Sequence, residues 1–170
     1  MEPLVFNSDQ MGIINIAVGQ AEETVSGHYK MSVSQWLRNR YEIKTYKDLT
    51  ETEKTKGPFA QIVKYSGYKK NSSLGSEGFD LFRICLQDDA VLILIESNSQ
   101  IELAPFILYI ITHELIHIVR FGQFEQFFHV NETDRIIEEA VVHSITREIL
   151  HRKKIAGLAA VLDYYKGAAQ

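Results

Sequence analysis

The run His113-Glu114-Leu115-Ile116-His117 constrains this chain more than any other stretch. It lies inside Pro105 to Phe121, a segment of Ile, Leu, Val and Phe with few polar residues. A segment apolar nearly all round predicts a core helix. At about 100° per residue, His113 and His117 stand about 40° apart, one turn along a single face. Glu114 lies about 60° further round from His117, and Tyr109, His113, Glu114, His117 and Arg120 share an arc of roughly 140°. Two imidazoles and a carboxylate are costly to bury without partners. Imidazoles at this spacing can share one metal ion, which removes that cost. Composition alone yields such a motif roughly 0.02 times in a chain of this length, so its presence is a signal.

At 170 residues the chain is long enough for a sizeable core, and a single domain over 1–170 is expected. With 45% hydrophobic and 24% charged residues it reads as globular. A net charge of −4 argues against a nucleic-acid partner. The one cysteine, Cys85, cannot form a disulfide within the chain, which favours the cytoplasm. Cys85 reads as a small buried strand residue. The start, Met1 to Phe6, lacks the basic region and long apolar core of a signal peptide. Ile101 to Phe121 is apolar enough to look like a membrane span, but His113, Glu114, His117 and Arg120 cluster within it. Such groups are expensive in lipid, so a soluble core helix is expected and no membrane span.

Along the chain, Ser8 to about Lys30 predicts an amphipathic helix capped by Ser8 or Asp9, with Ile14, Val18, Ala21, Val25 and Tyr29 on one side. Glu22, Glu23 and His28 read as its solvated face. A second short helix is expected from Val33 to about Tyr41, carrying Trp36 inward. Lys47 to Pro58 is Thr-rich and charged and reads as a surface connection with a loose helical turn. Phe59 to Tyr65 and Asp80 to Leu86 predict two strands of a hairpin joined by a Gly/Ser-rich loop. Asp88 to Glu96 fits a short helix capped by Asp88 or Asp89, or a buried strand. The motif helix then runs from Pro105 to Phe121, with Gly122 placed to end it. A last long helix starts at Asn131 or Thr133 and reaches His151, and Leu158 to Tyr165 gives a short terminal one.

The His113–His117 helix resembles the active-site helix of zinc-dependent metallopeptidases (zincins). That resemblance implies an α+β fold with a small antiparallel sheet packed by helices, an edge strand beside the metal to align substrate, bound zinc, and a peptide or protein substrate. His113 and His117 would bind the metal. Glu114 would act as general base towards a metal-activated water. A catalytic zinc site needs a third protein ligand. Metzincins carry a His six residues after the second, where this chain has Gln123, so their pattern fails. Gluzincin-type sites take a Glu from a following helix, often with a polar residue four positions later. Glu139 with His143 fits that arrangement, and Glu138-Glu139-Ala140 loosely resembles the second motif of compact intracellular gluzincins. Glu138 competes: it falls among Val141, Val142, Ile145 and Ile149, where a charge needs a partner or a metal. The order of preference is Glu139, Glu138, His143, then His129. Tyr109, His143 and Arg120 are candidates to stabilise an oxyanion.

Two other readings remain open. Glu114–His117 and Glu148–His151 form two E-x-x-H pairs, which with Glu22 or Glu23 and Glu139 could make a di-metal carboxylate bundle. Alternatively the chain is a non-catalytic zinc-containing module that binds a partner. The sequence leaves the oligomeric state open.

Overall fold

The computed structural model describes residues 2–38, 40–68, 78–123 and 131–168. In chain order the elements are α1 (Ser8–Tyr29), α2 (Val33–Arg38), β1 (Arg40–Lys44), 3₁₀ turns at Tyr46–Asp48 and Glu51–Glu53, β2 (Ala60–Tyr68), β3 (Gly78–Leu86), α3 (Asp88–Ser97), α4 (Leu103–Gln123), α5 (Glu132–His151) and α6 (Leu158–Ala168). The architecture is α+β, a small sheet packed against helices.

Helix α4 is the hub. Phe106 to Ile111, Leu115, Ile116, Ile118 and Val119 are all buried. Each fully buried side chain of this kind contributes about 1.5–3 kcal/mol, so this helix supplies much of the drive to fold. Residues Leu103–Gly122 are long and apolar enough to cross a membrane by length and composition, and 78% of the 18-residue apolar window within them is buried inside this fold. The helix runs to Gln123, so Gly122 is its penultimate described residue and not its stop.

Helix α1 packs on α4 through Ile14, Ala17, Ala21 and Val25, spaced three and four apart. Ala17 and Ala21 are small enough to let the two backbones approach. The start of α1 corrects the expectation of a Ser8 or Asp9 cap. Asn7 accepts from the Gln10 amide at 2.8 Å, and the Gln10 side chain accepts from the Asn7 amide at 2.9 Å. This reciprocal box satisfies two otherwise orphaned donors. At the other end Lys30 adopts φ 52°, and the amides of Lys30 and Met31 return to the carbonyls of Gly27 and Ser26. Trp36 of α2 donates its indole N–H to Ser26 and meets Tyr41 edge-on.

The sheet has order β1-β3-β2 and is mixed. The expected antiparallel hairpin is present as β2–β3, but β1 pairs parallel to β3. The expected second helix, Val33 to about Tyr41, ends earlier at Arg38, and its last two residues begin β1. Tyr41 and Ile43 alternate with Glu42 and Lys44, so one face of β1 can join the core while the other stays polar. Tyr41, Ile43, Phe82, Ile84, Leu86 and Ile62 share the face turned to the helices. Phe82 stacks on Phe121 and Phe59 meets Phe106 edge-on, tying the hairpin to both ends of α4.

The Thr-rich connection is less superficial than its composition suggests. Leu49 is buried, and Glu53 is fully buried on the far face of the sheet. Glu53 accepts from Tyr65 Oη, from the Thr50 amide at 2.8 Å and from Arg83 Nη1 at 2.8 Å, while Arg83 also grips Glu42. The Asp88–Glu96 run is a helix. Asp88 does not cap it, since Gln87 holds the N-cap position. The Asp88 carboxylate instead accepts the amides of Phe6 and Tyr46, stapling two distant segments together. Cys85 is a free, buried residue of β3, and burial pushes its thiol up to about 12.

Helix α5 starts at the Asn131 cap, as expected, and α6 follows a turn at Gly157. Gly157 has φ +80°, and a Cβ there would stand 3.1 Å from the Pro105 ring. Only glycine combines that backbone with such a close approach. The turn brings α6 back against α4, burying Leu158 and Val161.

Candidate metal centre

Two helices and one seam build the site. His113 and His117 project from the same face of α4, and both are buried. Helix α5 lies alongside in the opposite direction. Its Glu139 meets both rings, with Oε2 3.1 Å from His113 Nε2 and Oε1 3.0 Å from His117 Nε2. The two Nε2 atoms are themselves 3.1 Å apart. The three groups thus converge in a triangle, with a different Glu139 oxygen on each ring. In a tetrahedral zinc site with bonds of about 2.0–2.1 Å, neighbouring ligand atoms stand about 3.3 Å apart, close to the approach of these groups. Two imidazoles and one carboxylate are also a donor set used by catalytic zinc. With both rings donating to Glu139, the two nitrogens would face each other with no favourable contact. A shared cation removes that conflict. His113 Nδ1 finds no partner among the described residues.

The electrostatics follow from burial and this triangle. Burial would raise the Glu139 carboxyl, but hydrogen bonds from both rings hold it well below the usual carboxylate range. Burial lowers His113, against the bond to Glu139. Burial also pulls His117 down, but its bond to Glu139 and the charges of Glu114 and Glu139 leave it raised. Burial pushes Glu114 up to about 7, with the charge of His117 lowering it and that of Glu139 raising it.

His143, one turn beyond Glu139, completes a wider cluster. His113, Glu139 and His143 offer ligand atoms within 4.8 Å of one another. His143 Nε2 is 3.8 Å from Glu139 Oε2, and its Nδ1 is 2.8 Å from the Tyr109 hydroxyl. Burial and repulsion from His113 lower this ring to about 4, so it is neutral near pH 7. Burial raises the Tyr109 hydroxyl well above its ordinary value, so it keeps its proton. A buried hydroxyl satisfies that proton by donating to Nδ1, which leaves the hydrogen of His143 on Nε2, on the side of Glu139.

Glu138 does not join the triangle. Arg120 takes both of its oxygens, Nε on Oε1 and Nη2 on Oε2 at 3.0 Å, so its partner is a cation of α4 and not a metal. That pairing engages Nε and Nη2 of Arg120. His129 lies outside the described residues. The E-x-x-H pairs do not converge: Glu148 and His151 are exposed, Glu148 pairs with Arg152, and Glu22 sits on α1 bonded to Tyr41.

Two aromatic neighbours were not anticipated. Tyr165 of α6 stacks on Tyr109 with centroids 3.9 Å apart and planes 14° from parallel, and it approaches the His143 ring at 5.5 Å. Phe121 stacks on His117 at 5.9 Å. The spacing of Leu158, Val161 and Tyr165 marks the buried side of a helix, which is the signal that could have found the first. Comparison with family models, curated proteins and solved structures returns no significant match, so the chemistry of the site rests on its own geometry.

Proposed function

We propose that this protein is a zinc-dependent hydrolase acting on peptide bonds, with His113, His117 and Glu139 as metal ligands and Glu114 as general base. The observation that carries this reading is the convergence of three groups: His113 Nε2 and His117 Nε2 lie 3.1 Å apart, and each is met by its own oxygen of Glu139, at 3.1 and 3.0 Å. Zinc, when bound, supplies a Lewis acid that polarises a carbonyl and lowers the pKa of a water towards about 7. Glu114 then takes a proton and returns it to the leaving amine. Burial raises this carboxyl, which makes it a stronger base than an exposed glutamate. His143 presents a neutral Nε2–H donor to the developing oxyanion, held in that tautomer by Tyr109. Among the described residues β2 is an edge strand of the sheet, and its outer edge offers main-chain partners to an extended peptide. The lone buried Cys85 suits a reducing compartment, and we place the protein in the cytoplasm on that ground.

The test is elemental analysis of the purified protein beside its His113→Ala variant, followed by a peptide-library cleavage assay. About one zinc per chain, lost in the variant, supports the site. Cleavage that disappears in Glu114→Gln while zinc is retained supports the base. Zinc without any activity sensitive to Glu114 makes the chain a non-catalytic zinc module. Iron in place of zinc overturns the zinc assignment, and no metal in either protein sinks the proposal.

A further inference from the structure

The seam between α4 and α5 has three polar rungs. Arg120 meets Glu138, His117 and His113 meet Glu139, and Tyr109 meets His143. Arg120 stands one turn beyond His117, only about 20° round the helix from His113, so all three point at α5. Opposite them are two neighbouring carboxylates of the same charge, about 100° apart on their helix. A rotation of α5 by that angle would exchange Glu138 for Glu139 at the imidazoles. Nothing in the chemistry of a carboxylate distinguishes the two. What differs is that Glu138 has both oxygens engaged by one guanidinium, in a pair whose side chains are each 16% exposed. Such a fork fixes angle as well as distance, which a point charge does not.

We propose that Arg120 is the positioning residue of this centre: by holding Glu138 in a two-pronged ion pair, it sets the rotation of α5 so that Glu139 is the carboxylate that meets His113 and His117. The inference rests on the metal reading. It gives a role to the two charged residues of the seam that the hydrolytic reading leaves unused.

The experiment is a zinc titration of the purified full chain against a competing chromophoric chelator, with circular dichroism on each metal-free protein to confirm folding. Arg120→Met and Glu138→Gln should each weaken zinc binding roughly 10–100-fold, as loss of an outer partner of a ligand does. Either variant alone suffices if the other fails to fold. A packing role predicts a lower melting temperature for these variants but an unchanged affinity of the folded protein. A second comparison reverses the sign. Glu139→Ala should bind zinc poorly, and adding Arg120→Met should tighten it by about tenfold, because Glu138 is then free to reach the imidazoles. Affinities within about twofold of the parent for Arg120→Met or Glu138→Gln overturn the proposal, as does a double variant no tighter than Glu139→Ala. If the parent takes up no zinc, the metal reading itself falls and this inference with it. Zinc binding by the parent that is indifferent to Arg120 and Glu138 leaves the metal reading standing and removes only the clamp.

Discussion

Two carboxylates in this molecule, Glu53 fully buried and Glu139 half exposed, meet opposite treatment. Glu53, on the far face of the sheet, is surrounded by donors: a phenol, a backbone amide and a guanidinium. Glu139, on the helical seam, is met by two imidazoles that also crowd each other. In the first arrangement every neighbour is a donor, and both oxygens accept hydrogen bonds. The second is a convergence of electron-pair donors, with an orphaned nitrogen on one ring. The degree of burial alone therefore says little about function: the fully buried carboxylate is the structural one. What separates a structural carboxylate from a candidate ligand is whether its neighbours complement it or resemble it.

The largest test of this contrast is a double dissociation. Glu53→Ala should cost about 3–5 kcal/mol in denaturant unfolding, because Arg83 loses a buried partner, while leaving zinc stoichiometry unchanged in the folded fraction. Glu139→Gln should do the reverse, abolishing zinc uptake while metal-free stability stays within about 1 kcal/mol of the parent. If Glu53→Ala loses zinc in the folded state, or Glu139→Gln unfolds the metal-free chain, the two regions are not separate in the way described.

A smaller effect is expected in the acid limb of the stability curve. Burial raises Glu53, but the bonds from Tyr65, Thr50 and Arg83 outweigh it and hold the carboxyl at about 2, against an ordinary value of 4.5. A depressed folded value means that its stabilisation is fully present above about 4.5 and is lost as pH falls towards about 2. Melting temperatures across that window should fall less steeply in Glu53→Gln than in the parent. An identical slope would mean that Glu53 is not the ionised centre of that face.

Gly157→Ala comes next, at about 1–3 kcal/mol, from a left-handed φ and the contact with Pro105. Because it shifts α6, it should alter the environment of Tyr165 and Tyr109 in near-ultraviolet circular dichroism and leave the Glu53 side untouched. The smallest effect is a gain. Lys30→Gly should stabilise the chain by about 1 kcal/mol, since Lys30 holds a left-handed conformation at the end of α1. It touches neither carboxylate, so it calibrates the stability assay for the other variants.

The helical seam was legible because helix periodicity makes spacing speak. His113, His117 and Arg120 share a face by arithmetic, and Glu139 with His143 repeats the interval on the next helix. That arithmetic could not choose between Glu138 and Glu139, since the choice depends on Arg120, which lies 18 residues away in sequence. The sheet was harder. β1 is five residues with charges at both ends, and its partner in β3 begins 41 positions later. The alternation of Tyr41 and Ile43 was its only local mark. Glu53 sat unread in a Thr-rich run because the groups that bury it come from Tyr65 and Arg83, on two later strands. The Asn7 cap left a visible sign, an acceptor followed three residues later by Gln10, and was passed over for the residues beside it.

The order of elements along the chain has a consequence for synthesis. Helix α4 is the most aggregation-prone stretch that the ribosome produces here, yet α1 and all three strands emerge before it. Its largest apolar surfaces therefore find waiting partners, and little of it stays exposed. Glu139 arrives later, on α5. The histidine pair is thus made first and closed last, so if the proposed centre takes up a metal, its capture would report that α5 has docked.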